Sequence, residues 1–512
     1  MPRFHVRSST LLLALVLSSA CAGTTPEAQR PPILFGLPGV VDSVRNTPPL
    51  DRTHWGIGAY DVRADRMVLR VNLDHHFVPA SNMKLVTTAV ALGTLGPDYR
   101  YRTRVFAENL SDGAATALVV RGSGDPTLGA RFHGGHPMAA AASIADSIVA
   151  SGVRTIRGPL VVDATFFDDQ SIHPTWEIGD LDWYYAAPVA AFAMEEGTIT
   201  IMVYPGANVG DSATIDVIAP AGIVHVENAV VTDTAFSENT IEFVRPLGMN
   251  AFRFSGSIPL GAEADGYEIT IADPAGHAGR VLAGMLAQRG VTVDSVIVVN
   301  SGSPQAPQWN TQLARFTEVA VLESPRMSEI VEAILEPSNN WIAEQVLKTL
   351  GAELGDGGTW RAGAAVATRY LAEQAGVDSA AVHIVDGSGL SAQNLLSPDA
   401  IMRLLYHASE QPWGPIYRGA MPEPGEVEST LENRLIGYEG RVFAKTGSIT
   451  HVNSLSGYVI TADGREVIFS ILSNASGVRA SQVRAGIDRI VEALASLGTV
   501  VTVPEPEVRL AP

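Results

Sequence analysis

Pro79-Ala80-Ser81-Asn82-Met83-Lys84-Leu85-Val86-Thr87-Thr88-Ala89-Val90-Ala91-Leu92-Gly93 is the stretch from which the rest of the chain can be read. Pro79 and Ala80 lead into Ser81, and Leu85, Ala89, Val90 and Leu92 recur with helical spacing. The pattern predicts a helix from about Ser81 that stops near Gly93 or Gly96-Pro97. On such a helix Ser81 and Lys84, three apart, share a face and lie within reach of each other. Serine is a poor nucleophile at neutral pH and needs a partner to take its proton. A buried lysine can be that partner, whereas arginine is effectively never deprotonated. Of 35 basic residues in this 512-residue chain, only Lys84, Lys348 and Lys445 are lysines, so positions 84 and 445 read as chosen for a primary amine. At a helix N-terminus, backbone N–H groups and the dipole also favour developing negative charge. Taken alone, Ser-x-x-Lys is equally the start of a solvated helix.

Two further segments carry the same kind of double reading. Glu336-Pro337-Ser338-Asn339-Asn340 opens a helix at Trp341, and a Ser-x-Asn there is most often an N-cap. Phe443-Ala444-Lys445-Thr446-Gly447-Ser448-Ile449 falls on a strand, and by itself could be an edge strand ending in a polar turn. Read as a site, Lys445 adds positive charge for an anionic substrate group and Thr446 and Ser448 supply hydroxyls. Gly447 would let a substrate backbone approach closely.

Length implies two or three domains, because single cores rarely exceed about 250–300 residues. The net charge of −19 argues against a nucleic-acid partner, whose phosphates it would repel. Helical patterns before about residue 100 and after about residue 311 flank a block of alternating strands separated by Gly, Pro and Asn turns. Within it only Ala139 to Ala150 and Ala278 to Gln288 look helical. The expected division is a catalytic domain split into 47–103 and 312–500. A β-rich insertion occupies 104–165 and 256–311, with a second insertion, 166–255, nested inside it. Residues 501–512 form a tail. Helices are expected at Met327 to Ile334, Trp341 to Leu350, Trp360 to Ala375, Pro398 to His407 and Ala480 to Leu497, with strands on either side of the Lys445 motif.

The N-terminus has the parts of an export signal over residues 1–20: Arg3 and Arg7, the apolar run Leu11 to Leu17, then Ser18-Ser19-Ala20. That run is too short to span a bilayer, which takes about 20 apolar residues. Cys21 is the only cysteine, so no intrachain disulfide can form. Its place after the small residues suggests a lipid-modified cysteine that would hold the protein to a membrane. The alternative is simple cleavage near Ala20 or Ala22, and Ser18 stands where lipoprotein signals usually carry a large aliphatic residue. Residues 21–46, rich in Pro, Thr and Ala, read as a tether.

Order and spacing decide between the readings. Ser81-x-x-Lys84, Ser338-x-Asn340 and Lys445-Thr446-Gly447 occur in that sequence, each on the element type it needs, and the chain resembles the penicillin-recognising serine acyl-transferases. The insertion between the first two motifs makes it similar to one branch, the D-alanyl-D-alanine carboxypeptidase/endopeptidase family. Arg121-Gly-Ser-Gly-Asp-Pro-Thr-Leu128, Trp183-Tyr-Tyr-Ala-Ala-Pro188, Asp386-Gly-Ser-Gly-Leu-Ser391 with Asn394, and Ser429-Thr-Leu-Glu-Asn-Arg434 agree with it. The likeness runs from about residue 50 to 495.

The resemblance implies an α/β (α+β) penicillin-binding-protein/β-lactamase-like transpeptidase domain, with an antiparallel sheet and helices, interrupted by the insertion. It implies cleavage of peptidoglycan stem peptides, as carboxypeptidase and also as endopeptidase, with no cofactor and no metal. In that scheme Ser81 is the nucleophile and Lys84 the general base. Ser338 and Asn340 relay the proton and hold substrate, and Lys445 tunes the network. Thr446 and Ser448 hold the terminal carboxylate, and the N–H groups of Ser81 and Ser448 form the oxyanion hole. β-Lactam antibiotics would enter the same path and stall.

Two departures stand out. Asn339 replaces the usual Asp of the second motif. Ala392 follows Gly-Leu-Ser where an Arg often helps bind the side-chain carboxylate of diaminopimelate. Asp180 matches an acidic residue that reads the amine of that side chain. The competing readings are a β-lactamase or esterase on the same fold, and a catalytically idle peptidoglycan-binding protein. His133-Gly-Gly-His136 lacks further ligands and is set aside as a metal site.

Overall fold

The fold is that of a computed structural model, which describes residues 36–218 and 224–498. The signal at 1–20, Cys21 and the tail at 501–512 lie outside the described residues. A five-stranded antiparallel sheet forms the centre of the catalytic domain, in the order Val442–Ile449, Val452–Ile460, Glu466–Asn474, His54–Asp61, Arg66–Val71. Strands near the two ends of the chain are therefore direct neighbours: Ile57 pairs with Ile471. Val452–Ile460 is buried along nearly its whole length, as expected of a strand covered on both faces. On one face, helices Leu37–Asn46 and Ala480–Ala495 bury Val41, Val44, Ile487 and Ile490 against Ile57, Leu455 and Phe469. On the other, helices Met83–Thr94, Met327–Leu335, Asn340–Leu354, Trp360–Glu373 and Pro398–Ser409 share a core with Tyr458, Ile468 and Leu472. The result is a three-layer helix–sheet–helix domain, and the Lys445 motif runs along an edge strand.

The insertion is built on a mixed sheet. Val296–Val299, Leu160–Asp163 and Ala117–Arg121 run parallel, and Arg102–Glu108 and Thr317–Glu323 add antiparallel. Parallel neighbours need crossover helices. Ala139–Ala150 and Pro274–Gln288 supply them, the second starting at the N-cap Asp273, whose carboxylate accepts from Gly276 N–H at 2.9 Å. Inside it sits a smaller unit of two three-stranded sheets with its own core of Ile201, Val230, Phe252, Phe254 and Ile269.

Three expectations need correction. Residues 37–46 are not tether. Leu37, Val40, Val41 and Val44 repeat at helical spacing and are buried against the last helix, a periodicity hidden by the Pro- and Thr-rich composition around them. Thr317–Glu323, assigned to the catalytic domain by a boundary at 312, pairs with Arg102–Glu108 in the insertion sheet. The nested unit extends past 255: Ala251–Pro259 crosses that boundary, and Asp265–Thr270 pairs with Thr198–Tyr204. Local texture marks strands but carries no record of their distant partners.

Candidate active site

Ser81 lies in a single 3-10 turn, Ala80–Asn82, that runs directly into helix Met83–Thr94. Side-chain contacts lock this turn to the edge of the sheet. Asn82 donates through Nδ2 to the Lys445 carbonyl at 2.8 Å, and Ser454 donates through Oγ to the Pro79 carbonyl at 2.8 Å. Gly447 completes the join. A Cβ there would stand 2.2 Å from Ser454 Oγ, 2.9 Å from the Pro79 carbonyl oxygen and 3.0 Å from Ser81 N. The glycine thus lets the strand approach the Ser81 turn, so the missing side chain makes room for protein as well as for substrate.

Lys84 is 0% exposed. Its Nζ donates to Ser81 Oγ at 2.9 Å, Asn340 Oδ1 at 2.6 Å and the Ser388 carbonyl at 2.9 Å. All three contacts are neutral. Burial lowers the proton affinity of the amine, and the charges of Glu344 and Asp386 partly restore it, leaving its pKa at about 7. An amine poised near neutrality, in hydrogen-bond contact with a serine hydroxyl, can take that hydroxyl's proton as Oγ attacks. Lys445 is also 0% exposed. Burial, then the neighbouring Lys84 charge, depress its pKa well below the usual lysine range, and its Nζ donates to the Thr446 carbonyl at 3.2 Å.

The second motif divides its labour. Asn339 is the N-cap of helix Asn340–Leu354 and accepts from Ile342 N–H at 2.9 Å. Capping therefore falls on the middle residue. Asn340 is left to accept from Lys84 and to donate to the Tyr185 carbonyl at 2.8 Å. Ser338 precedes them in a left-handed conformation, φ 65°. Asn339 also donates through Nδ2 to Glu196 Oε2 at 2.6 Å, which an aspartate could not do. The departure at 339 is thus matched by a carboxylate from the insertion.

Ser81, Lys84 and Asn340 are hydrogen-bonded together, and Lys445 and Gly447 adjoin them through the Asn82 and Pro79 contacts. Thr446 and Ser448 alternate with Lys445 and Gly447 along the edge strand, and Ser448 Oγ donates to Asn453 Oδ1 at 3.4 Å. Asp180 is linked to the group at one remove: its carboxylate accepts from Tyr185 OH at 3.0 Å, and the Tyr185 main-chain carbonyl accepts from Asn340.

The motif reading passed over Asp386, Ser388 and Glu344. The Asp386-Gly-Ser-Gly-Leu segment was visible as a feature but not as part of the site. Gly389, at φ 81°, lies where a Cβ would come within 1.9 Å of the Ala80 carbonyl oxygen, so the segment presses on the Ser81 turn. Nothing in the sequence marks Glu344, an acid one helical turn after Asn340, as buried.

The comparisons agree with this geometry. Residues 37–496 match the model of the D-Ala-D-Ala carboxypeptidase 3 (S13) family. The chain is 35% identical over 448 residues to a D-alanyl-D-alanine carboxypeptidase of Actinomadura sp. (strain R39), covering 85% of this chain and 80% of that protein. It is 22% identical over 422 residues to a D-alanyl-D-alanine carboxypeptidase of Haemophilus influenzae, covering 81% and 84%. The crystal structure of penicillin binding protein 4 from H. influenzae superposes with a TM-score of 0.76 at 20% identity, over 89% of this chain and 99% of that one, and so shares the fold. The chain belongs to the D-Ala-D-Ala carboxypeptidase 3 (S13) family.

Proposed function

We propose that this serine-type D-Ala-D-Ala carboxypeptidase cleaves peptidoglycan stem peptides through an acyl-enzyme on Ser81. The single observation that carries the reading is the fully buried Lys84 amine, 2.9 Å from Ser81 Oγ, with no carboxylate among the described residues in contact. Neutral Lys84 takes the Ser81 proton as Oγ attacks the carbonyl of the penultimate D-alanine. The tetrahedral oxyanion is received by the N–H groups of Ser81 and Ser448. Collapse breaks the C–N bond, and the proton passes by way of Ser338 to the departing amine of the terminal D-alanine. Asn340 holds the Lys84 amine and the substrate backbone. Thr446 and Ser448 receive the terminal carboxylate, Lys445 tunes the serine–lysine network, and Asp180 meets the amine of the stem-peptide side chain. Water then hydrolyses the ester and regenerates Ser81. A cross-linked peptide offers the same acyl half with a larger leaving amine, which extends the chemistry to endopeptidase cleavage.

A β-lactam acylates the same serine in this scheme. A protein acting on the cell wall works outside the cytoplasmic membrane, in keeping with the export signal at 1–20 and a lipid anchor on Cys21 in the periplasm. Among the described residues no helix is long and apolar enough to cross a membrane. A fluorescent penicillin tests the centre of the reading: the expected result is a stable covalent adduct, abolished in Ser81→Ala. An adduct that survives Ser81→Ala, or none on the unaltered protein, would end it. Rapid penicillin turnover would point to a β-lactamase instead.

A further inference from the structure

Glu344 belongs to none of the three motifs, yet it is fully buried on helix Asn340–Leu354. Its Oε1 accepts from Ser388 N–H at 2.7 Å, and its Oε2 accepts from Gly387 N–H at 2.9 Å and Trp360 Nε1–H at 2.7 Å. Every partner is a donor, which suits an ionised carboxylate, an acceptor at both oxygens. The two N–H groups belong to the turn whose Ser388 carbonyl receives Lys84. Asp386 grips the same turn, accepting from Gly389 N–H at 2.8 Å, Ser391 N–H at 2.7 Å, Asn394 Nδ2 at 2.7 Å and Trp176 Nε1 at 3.0 Å. The turn is thus suspended between two buried carboxylates and delivers one carbonyl to the catalytic amine.

We propose that Glu344 is a positioning residue for the base: it fixes the direction of the Lys84 amine through the Gly387–Ser388 turn and, by its charge, sets how readily that amine exchanges its proton. The proposal rests on the reading of Lys84 as the base. In the neutral amine, the Ser388 carbonyl and Asn340 Oδ1 occupy the two N–H groups of Lys84 and leave its lone pair facing Ser81 Oγ. Through space, Glu344 is the first and Asp386 the second charge opposing the desolvation of Lys84. Lys445, on the edge strand, is the amine that faces Lys84, and burial and that neighbour lower its own proton affinity. Lys348, one turn beyond Glu344 on its own helix, faces Glu344, with Asp168 and His173 behind it. Burial and Asp386 push the Glu344 carboxyl upward, and its three donors oppose them. Removing the carboxylate would leave Asp386 alone to oppose the desolvation of Lys84, a weaker base for the loss.

The chain's three lysines make this directly measurable. Lysine labelled with 13C at Cε gives one signal each for Lys84, Lys348 and Lys445, and Lys84→Met assigns the first. The Lys84 signal should titrate about one pH unit lower in Glu344→Gln than in the unaltered protein, with penicillin acylation slowed about tenfold. Glu344→Asp keeps the charge but withdraws it from the turn. It should restore the titration while acylation stays slow. A Lys84 titration unmoved in Glu344→Gln overturns the proposal, as does an equal loss of rate in both variants with the titration unchanged. If Glu344→Gln does not fold, Glu344→Asp decides, and acylation at the unaltered rate overturns it. The titration requires no catalysis. An unaltered protein that takes no penicillin therefore sinks the hydrolase reading alone.

Discussion

Two lysine pockets flank Glu344, and they differ in what touches the amine. Lys84 and Lys348 are both 0% exposed. Lys84 touches a hydroxyl, an amide oxygen and a carbonyl, all neutral. Lys348 donates to Asp168 Oδ1 at 2.5 Å and to the Gln170 carbonyl at 2.9 Å, and its amine lies 4.4 Å from the centre of the Trp360 ring. Burial lowers the proton affinity of both amines, but at Lys348 the touching carboxylate and the aromatic face hold the cation. Burial alone does not make a base. A buried lysine becomes one when its nearest partners accept hydrogen bonds without balancing its charge.

The comparison breaks most visibly on arginine. Lys84→Arg keeps the charge and removes the ability to lose it, so penicillin acylation should fall on the order of a thousandfold. Lys348→Arg keeps its ion pair and should acylate at close to the unaltered rate, measured by fluorescent labelling over time. Comparable losses in the two would erase the distinction. pH separates the pockets next. The acylation rate should fall about tenfold for each pH unit below about 7, as Lys84 takes up a proton and ceases to be a base. Substituting Lys348 should not move that limb in a rate profile.

Stability should respond in the opposite sense. Lys348→Met strands Asp168, whose side chain is 27% exposed, and should cost about 2 kcal/mol of folding stability with the acylation rate of the folded protein preserved. Thermal melting alongside labelling reads both. The smallest effect is expected at the seam with the insertion. Asn339→Asp retains the helix cap but sets a second carboxylate against Glu196, losing about 1 kcal/mol, recovered by a further Glu196→Gln.

Much of the fold and site was legible because it is local. Ser81 with Lys84 and the helix that carries them are read within one stretch, and the helices Met327–Leu335, Trp360–Glu373 and Ala480–Ala495 follow their apolar spacing to within a residue or two. Domain boundaries were less legible, because the partner of Thr317–Glu323 is Arg102–Glu108, far upstream. The helix at 37–46 was hidden by composition, although Leu37, Val40, Val41 and Val44 display its face. Glu344 was invisible for another reason. An acid in a helix usually faces water, and only the folded Gly387–Ser388 turn shows why this one does not.

The order in which a ribosome delivers these parts differs from the order in which they are needed. Val78 N–H, at the entrance to the Ser81 turn, bonds to Asn474 Oδ1 across 396 residues, and the sheet beneath the serine is completed only by strands from the end of the chain. The nested unit and one face of the insertion sheet have cores of their own, built from residues that emerge earlier. The Ser81 turn instead waits for Ser454 and Asn474, which bond to Pro79 and Val78 across 375 and 396 residues. A product that stops before about residue 440 therefore carries Ser81 without the edge strand that presents Lys445 and Gly447.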